Sequence, residues 1–315
     1  MNKYKISVII AIFNNGKLLR DRCIEGLKKS SIFKDMEILL IDDGSTDDET
    51  LYIVKGLERE YENIKAAYLP KGGSGGACRP RNIGIHLSTC DYITYLDPDN
   101  EAINDGYYKL YKQLEKDDFD IVLGNYKIID DHNSRLANYY DVCKKRNFDC
   151  NNIKETKNVL LKTNFNVDSI QAALIKKSLI IENNIIMEGV GEDTVFFYEI
   201  MLYAKKVSII NETIHLYYKN REDSLTNSIN NRYFDGHLIT QKRKKRLFEQ
   251  FSILEEYLNL KQEYHFKHYL YNKMFQAKDV NYAKNKLYEI YEVYEDKWNV
   301  KDKELREFFI EGRLK

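Results

Sequence analysis

The stretch that decides the fold of this chain runs Tyr92-Ile93-Thr94-Tyr95-Leu96-Asp97-Pro98-Asp99. Its first five residues form an apolar run of strand length, and two carboxylates follow where the run ends. In open α/β sheets, ligands bind at the carboxyl ends of the strands. Carboxylates one residue apart can hold a hard divalent cation, which prefers oxygen ligands and often bridges substrate phosphates. Asp-Pro-Asp is also ordinary turn chemistry, so the motif alone leaves a plain turn as an equal alternative.

Further apolar runs place this strand in a larger sheet. Strands are predicted at residues 6–11, 37–41, 64–69, 120–124, 207–210 and 214–218. Helical patterns separate the first strands, which favours a mostly parallel central sheet with helices on both faces. Residues 130–150 are polar and predicted to be irregular, and the pattern beyond Thr226 is helical. We therefore expect an α/β domain at residues 1–225 and a helical C-terminal subdomain at residues 226–315.

The composition excludes several classes of protein. Lys+Arg and Asp+Glu both number 49 in the 315 residues, so no net charge attracts nucleic acid and no nucleic-acid partner is expected. The five cysteines form no CxxC pair, which is typical of free thiols in a reducing compartment. The first apolar run is too short for a signal sequence or a membrane span, so we expect a cytoplasmic protein.

Two more loops carry residues suited to nucleotide binding. Asp42-Asp43 ends the strand at 37–41, where a carboxylate can accept a hydrogen bond from a nucleobase or can serve in helix capping. The glycines of residues 72–76 let the backbone approach a ligand closely, and Arg81 behind them can grip a phosphate. The spacing fits neither a P-loop nor a dinucleotide fingerprint, and a flexible loop remains the alternative.

Glu192-Asp193 and Arg221 complete the set of candidate residues. Carboxylates at a helix start are stabilised by the helix dipole, but an ionised Asp193 could also accept a proton from a hydroxyl nucleophile. Arg221 could neutralise a leaving diphosphate, or it could belong to a plain surface loop.

Taken in order, these residues resemble the family-2 glycosyltransferases of the GT-A fold. The matching segments are residues 8–15, 41–47, 80–84, 96–100 and 191–193. They cover roughly the first two-thirds of the chain, and five motifs in the right order are far more specific than any one. Among known members, the Arg-Asn-x-Gly loop and helical tail look most like bacterial enzymes that glycosylate cell-wall polymers or surface adhesins. The resemblance implies inverting transfer from a UDP-sugar to a hydroxyl of a cell-surface polymer, glycan or glycoprotein.

The resemblance also implies how the nucleotide would be bound. Ala11 and Phe13 would line the uridine site at the end of the first strand. Asp43 would contact the uracil, with Asp42 nearby, and Arg81 would lie by the base or the diphosphate.

The remaining donor contacts follow from the same resemblance. Asp97 would face the ribose or the sugar, and Asp99 would coordinate Mn²⁺ or Mg²⁺ bound to the diphosphate. Arg221 would help close over the diphosphate, with Ser224 beside it. Asp193 would be the catalytic base of a single displacement, with Glu192 orienting the acceptor or the sugar.

Some features depart from the family pattern or allow other functions. Many relatives carry a histidine near Arg221 as a metal ligand, whereas His215 here lies in an apolar strand pattern and is expected to be a core residue. The alternatives are a nucleotidyltransferase, which would need a glycine-rich basic first turn, or a non-catalytic nucleotide-sugar-binding partner of another glycosyltransferase.

The run from Lys242 to Arg246 is the most conspicuous signal of the C-terminal part. It could dock to the inner face of an anionic membrane or to an anionic polymer, and a solvated helix face is the alternative. The aromatic-rich helices behind it are expected to pack on the catalytic domain, and they could also bind acceptor or form a homo-oligomer.

Overall fold

The computed structural model describes residues 3–130, 133–219 and 229–313 of the chain. Its strands are β1 (Ile6–Ile12), β2 (Met36–Asp42), β3 (Ile64–Tyr68), β4 (Tyr92–Tyr95), β5 (Glu101–Ala102), β6 (Ile121–Ile129), β7 (Ser134–Ala137), β8 (Ala173–Lys176) and β9 (Val207–Tyr218). Within the described residues they form one sheet in the order β3-β2-β1-β4-β8-β6-β9-β5, with β7 paired to β6.

Helices cover both faces of this sheet and make up the C-terminal part. The first, α1, spans residues 16–28 with a π-helical centre, and α10 spans residues 254–274 with two π-helical segments. The others are α2 (Asp48–Glu60), α3 (Cys78–Leu87), α4 (Gly106–Leu114), α5 (Tyr139–Lys144), α6 (Thr156–Lys162), α7 (Lys177–Glu182), α8 (Glu192–Tyr203), α9 (Asn231–Gln250), α11 (Val280–Glu292) and α12 (Lys303–Arg313).

The sheet is parallel where the alternation of strands and helices predicts it. β3, β2, β1 and β4 run parallel, while β8 pairs antiparallel with β4 and β6. The buried, β-branched runs of β1 and β2 suit strands that are covered on both faces. Two strands predicted at residues 207–218 are one strand, β9, whose register with β6 shifts between Leu123 and Tyr126. Such a bulge bends a strand without ending it.

The prediction of an irregular segment at residues 130–150 is wrong. It contains β7 and α5, and the side chain of Asn138 caps α5 by accepting a hydrogen bond from the Asp141 backbone N–H. Tyr139 and Cys143 point into the core from α5, whereas β7 is exposed. β7 and α5 are too short and too polar to give a hydrophobic periodicity in the sequence.

The C-terminal helices pack directly on the α/β part through aromatic side chains. The ring of Phe165 lies 5.4 Å from Tyr198 of α8, 5.5 Å from Phe248 of α9 and 5.2 Å from Tyr257 of α10. One hydrophobic cluster therefore continues from the sheet into these helices. The predicted boundary at residue 225 lies outside the described residues, and no helix among the described residues is long and apolar enough to cross a bilayer.

The basic run at residues 242–246 is not a uniform helix face. Arg243 is buried and pairs with Glu199 of α8, and Lys244 is buried between α9 and α10. Lys242 and Arg246 are exposed. The helical period turns adjacent residues to different sides, so only part of the run can meet a membrane or polymer, and that docking stays a prediction.

Candidate functional site

The loops that follow β1, β2 and β4 meet at one edge of the sheet. In the parallel register, Ile12 at the end of β1 lies beside Asp42 at the end of β2, and Ile9 lies beside Tyr95 at the end of β4. The side chains after these strands therefore share one crevice at the carboxyl edge, as expected for a ligand site of an open α/β sheet.

Asp42 and Asp43 organise the side of this crevice that follows β2. Asp42 is buried and accepts hydrogen bonds from the Ser45 backbone N–H at 3.2 Å and hydroxyl at 2.5 Å. Asp43 accepts bonds from the N–H and hydroxyl of Ser74 at 2.6 and 2.7 Å, and from Arg79 Nε at 2.8 Å. Asp43 thus ties the loop after β2 to the glycine-rich loop, and its contact with a uracil stays a prediction.

An aromatic face lies between β1 and the glycine-rich loop. Phe13 is 42% exposed, and Ala11 beside it is half-buried. Gly73 has a φ of +68°, and a Cβ there would lie 2.7 Å from Cε2 of the Phe13 ring. Only glycine allows this approach, and it leaves a flat surface suited to a planar base.

Arg81 joins the two acidic motifs of the site. Arg81 is only 5% exposed, and its guanidinium donates from Nη2 to Asp97 Oδ1 at 2.7 Å and from Nη1 to Glu192 Oε1 at 3.0 Å. Burial opposes the charge, but the carboxylates of Asp97, Glu192 and Asp193 outweigh it and raise the arginine pKa. This geometry favours a positioning role, and direct contact of Arg81 with the base or diphosphate stays a prediction.

Gln171 is a site residue that the sequence did not reveal. Its Nε2 donates to Asp97 Oδ2 at 2.9 Å, and its Oε1 accepts from the Asp97 backbone N–H at 3.0 Å and from Asn100 Nδ2 at 2.8 Å. Asp97 is therefore held on one oxygen by Arg81 and on the other by Gln171. A lone glutamine before a strand carries no local signal, since its partners are 71 to 74 residues away in sequence.

Asp99 is the residue predicted to meet a diphosphate-bound cation, and this role stays a prediction. Its backbone carbonyl accepts a hydrogen bond from Arg22 Nη1 at 2.8 Å, which holds the loop. Among the described residues no three His, Cys, Asp or Glu side chains cluster to hold a metal. A single carboxylate suits Mg²⁺, which keeps several waters and binds through one or two carboxylates plus substrate phosphates. Arg221 and Ser224 lie outside the described residues.

His215 is a core residue, in agreement with its apolar sequence context. It is buried on β9, and its ring stacks on Tyr126 at a centroid distance of 5.2 Å. Burial lowers the pKa of His215 to about 4, so the ring is neutral at ordinary pH.

Glu192 and Asp193 begin α8, which starts after Gly191 in the left-handed conformation. Asp193 Oδ1 accepts a hydrogen bond from the Thr194 backbone N–H at 2.8 Å. Burial, together with the adjacent Asp193 charge, raises the pKa of Glu192 to about 7, because the opposing effect of Arg81 is smaller. The start of α8 therefore carries two adjacent carboxyl groups, of which Glu192 is paired with Arg81.

Asp168 is a further carboxyl group that the sequence did not single out. Burial raises its pKa, although it accepts a hydrogen bond from the Tyr139 hydroxyl at 2.8 Å. The charge of Asp193 adds to the rise in the pKa of Asp168, so the two carboxyl groups lie in one electrostatic environment. The partner Tyr139 comes from α5, inside the segment predicted to be irregular.

The proteins that are similar to this chain in sequence include the following three. Glycosyltransferase GlyG of Streptococcus pneumoniae is 28% identical over 222 residues, 67% of this chain and 70% of that protein. The cholesterol galactosyltransferase of Borreliella burgdorferi is 28% identical over 317 residues, 96% of this chain and 79% of that protein. The poly(ribitol-phosphate) beta-N-acetylglucosaminyltransferase TarP of Staphylococcus aureus is 28% identical over 241 residues, 73% of this chain and 69% of that protein.

The fold and the family agree with the prediction from the five motifs. A crystal structure of S. aureus TarS, residues 1–349 with UDP-GlcNAc, superposes with a TM-score of 0.71 at 18% identity and covers 91% of this chain and 81% of that one. This likeness confirms the predicted α/β sheet with C-terminal helices. The profile of glycosyl transferase family 2 matches residues 7–182, which confirms the predicted enzyme class. The chain therefore belongs to glycosyl transferase family 2.

Proposed function

We propose that this enzyme transfers a sugar, with inversion, from a UDP-sugar to a hydroxyl of a bacterial cell-surface glycan, polymer or glycoprotein. The observation that carries the proposal is the bridge made by Arg81, which binds Asp97 of the donor motif and Glu192 beside the candidate base Asp193. The bridge brings both acidic motifs to one crevice. The TarS structures with UDP-GlcNAc and UDP support a UDP-sugar donor, and the activity in the name of TarP supports a polymer acceptor.

The chemistry is a single displacement. The carboxylate of Asp193 takes the proton of the acceptor hydroxyl while the acceptor oxygen attacks the anomeric carbon. The bond from that carbon to the diphosphate oxygen breaks, and its electron pair leaves with UDP. One displacement inverts the anomeric carbon, and no covalent enzyme intermediate is needed, unlike in retaining hydrolases with two carboxylates.

The other residues position the reactants. Arg81 and Gln171 hold both oxygens of Asp97 in one orientation, which supports its contact with the ribose or sugar. Mn²⁺ or Mg²⁺ bound by Asp99 and the diphosphate would neutralise charge on the leaving group. Phe13 offers its exposed face to the uracil.

Membership of the family argues against the two alternatives. A nucleotidyltransferase would need a glycine-rich basic first turn, and the turn after β1 reads Phe13-Asn14-Asn15-Gly16-Lys17. A non-catalytic partner would need neither Asp193 nor Asp99. Both carboxylates are present and Glu192 has a raised pKa, a combination typical of catalytic sites.

The test is a donor screen with the purified chain. We expect one of UDP-Glc, UDP-GlcNAc, UDP-Gal or UDP-GalNAc to raise the melting temperature with Mn²⁺ and to release UDP. Asp193→Asn should lower transfer by at least about a hundredfold, because general base catalysis contributes about 10²–10⁴. Asp118→Asn, at an exposed position paired with Lys176, is the matched control and should not change the rate. Unchanged transfer by Asp193→Asn would refute the mechanism.

A further inference from the structure

The turn of the donor motif is held at several points by the rest of the protein. The Asn100 backbone N–H donates to the Asp97 carbonyl at 3.0 Å and closes the turn. Asn100 is fully buried, and its Oδ1 accepts from the backbone N–H of Tyr218 on β9 at 3.2 Å. Arg22 Nη1 donates to the Asp99 carbonyl at 2.8 Å. Through Arg22, α1 therefore contacts the backbone of the predicted cation ligand.

The Arg22 side chain is itself fixed by a second contact. Its guanidinium carbon lies 3.8 Å from the centroid of the Tyr218 ring, which is within the range of a cation–π contact. The Tyr218 hydroxyl donates to Glu101 Oε2 at 3.1 Å, so the ring cannot turn away without losing that bond. Because the guanidinium is planar, it can stack on a ring and donate from its edge at the same time. Arg22 therefore joins the turn to β9.

The backbone of α1 approaches the loop closely enough for this contact. A Cβ at Gly26, four residues after Arg22, would lie 2.9 Å from the backbone nitrogen of Ala102. Only glycine allows this approach, and residues four apart share one face of a helix. Arg22 also lies in the π-helical segment Leu19–Ile24, and such segments are rare and frequent at functional sites. The local sequence of α1 therefore places a guanidinium at the donor motif.

We propose that Arg22 is a positioning residue that fixes the backbone of Asp99 before the donor arrives, and thereby strengthens the binding of a cation-bound nucleoside diphosphate. The inference rests on the proposed function, since Asp99 and the diphosphate take their roles from it. A turn that is already ordered in the free protein loses little conformational freedom on binding, so the affinity is higher. Removing an outer partner of a metal ligand typically costs about 10–100-fold in affinity.

The contacts of Arg22 favour an action through the turn over a direct charge on the diphosphate. One guanidinium nitrogen donates to the Asp99 backbone, and one face of the group covers the Tyr218 ring. A lysine keeps the positive charge but cannot make both contacts. Arg22→Lys therefore separates the two roles.

The first measurement is the affinity for UDP by isothermal titration calorimetry, with Mn²⁺ and with EDTA. In Mn²⁺, the Kd of Arg22→Met for UDP should rise about tenfold, at the lower end of the range for an outer partner, because Arg22 contacts the backbone of Asp99. In EDTA, where no cation contributes, the variant and the wild-type protein should have similar Kd values. Arg22→Lys should resemble Arg22→Met more than the wild-type protein.

The second measurement is hydrogen exchange of the unliganded protein. The backbone amides of residues 97–101 should exchange faster in Arg22→Met, because the turn loses one of its contacts. Tyr218→Leu removes the ring that Arg22 covers and should have the same effect, whereas Tyr218→Phe should stay near the wild-type protein. Arg20→Met, at an exposed position of the same helix paired with Asp21, is the matched control and should match the wild-type protein in both measurements.

Several outcomes would overturn the inference. Arg22→Met could bind UDP with Mn²⁺ as tightly as the wild-type protein, or lose the same factor in EDTA, or Arg22→Lys could restore full affinity. Unchanged exchange of the turn in Arg22→Met would contradict it as well. Faster exchange across the whole chain would mark a misfolded variant, and Tyr218→Leu then supplies the test. If the wild-type protein does not bind UDP, the proposed function fails instead, and hydrogen exchange still tests the hold of Arg22 on the turn.

Discussion

Two buried cations of this molecule have opposite environments. Arg81, at the catalytic edge, forms ion pairs with Asp97 and Glu192. Lys244, between α9 and α10, is 2% exposed, and its Nζ donates to the Tyr257 hydroxyl at 3.1 Å. Among the described residues no carboxylate pairs with Lys244. Burial, with the charge of Lys261 adding to it, lowers the pKa of Lys244 to about 7, whereas the pKa of Arg81 is raised.

The groups around Lys244 extend this contrast. His237 of α9 and His265 of α10 face each other with ring centroids 5.8 Å apart. Within the described part of the chain, His237 Nδ1, His265 Nε2 and both polar side-chain atoms of Gln262 are buried without a hydrogen-bond partner. Burial lowers the pKa of His237 to about 3.

The comparison teaches that burial of a charge has different consequences in the two regions. At the carboxyl edge of the sheet, Arg81, Asp97 and Glu192 hold one another in one orientation, which the proposed mechanism requires. Between α9 and α10, polar groups are desolvated without full compensation, which lowers stability. We therefore expect removal of the charge to be harmful in the first region and favourable in the second.

The largest effect is expected for Arg81→Leu. It leaves the partly buried carboxylates of Asp97 and Glu192 without their cation, and the loss should approach the lower end of the about 3–5 kcal/mol that breaking a fully buried pair costs. Transfer should fall at least about a hundredfold, the scale reported for a misplaced reacting group. Urea unfolding and UDP release measure the two effects.

Two further variants sharpen this result. Arg81→Lys keeps the positive charge but lacks the planar guanidinium that contacts both carboxylates. It should therefore be more stable than Arg81→Leu but have little activity. Arg20→Leu removes the exposed pair with Asp21 and should leave the midpoint of urea unfolding almost unchanged. A loss as large for Arg20→Leu as for Arg81→Leu would contradict the argument.

Lys244→Met should have the opposite sign. Burying a single ion carries a penalty of several kcal/mol, so replacing Lys244 by an apolar side chain of similar length should remove part of that penalty. The midpoint of urea unfolding should therefore rise at pH 7. A clear loss of stability would show that the lysine has a partner that compensates its burial.

The pH dependence of stability tests the same site without relying on packing. Below pH 7 both folded and unfolded Lys244 hold the proton, but between pH 7 and the ordinary value of 10.5 only the unfolded lysine does. Unfolding then takes up a proton, so stability increases with pH in this window by up to about 1.4 kcal/mol per unit. The free energy of unfolding is measured against pH for the wild-type protein and for Lys244→Met. Subtracting the variant's curve from the wild-type curve isolates this slope, because His237 stays neutral throughout the window. Parallel curves would refute the lowered pKa.

A smaller effect is expected in the pH profile of transfer. The raised pKa of about 7 for Glu192 means that its ionised form, which pairs with Arg81, is lost as the pH falls. Activity at pH 6 should fall to roughly one tenth of its plateau value. Glu192→Gln should abolish this loss of activity at acidic pH, because the glutamine side chain does not titrate. Glu188→Gln, four residues earlier and near Arg246, should keep the wild-type profile.

Much of the fold could be predicted because its signals are local. The apolar runs before Asp42 and Asp97 are strands, and the carboxyl edge of a parallel sheet brings the residues after them together. Short elements that meet the core on one side only were not predicted, as β7 and α5 show. The burial of Arg243 and Lys244 was not predicted either, because a run of five basic residues does not indicate which face of the helix packs on the core.

By itself, the sequence determined the strands and helices that carry the acidic motifs, the position of each motif at a strand or helix end, and the family. These depend on residues that are close together in the chain. Tertiary structure alone decided which groups pair. Arg81 meets Asp97 across 16 residues and Glu192 across 111, while Lys244 meets no carboxylate among the described residues. The physical reason is that ion pairing and desolvation depend on distances in space, which the packing of sheet and helices sets.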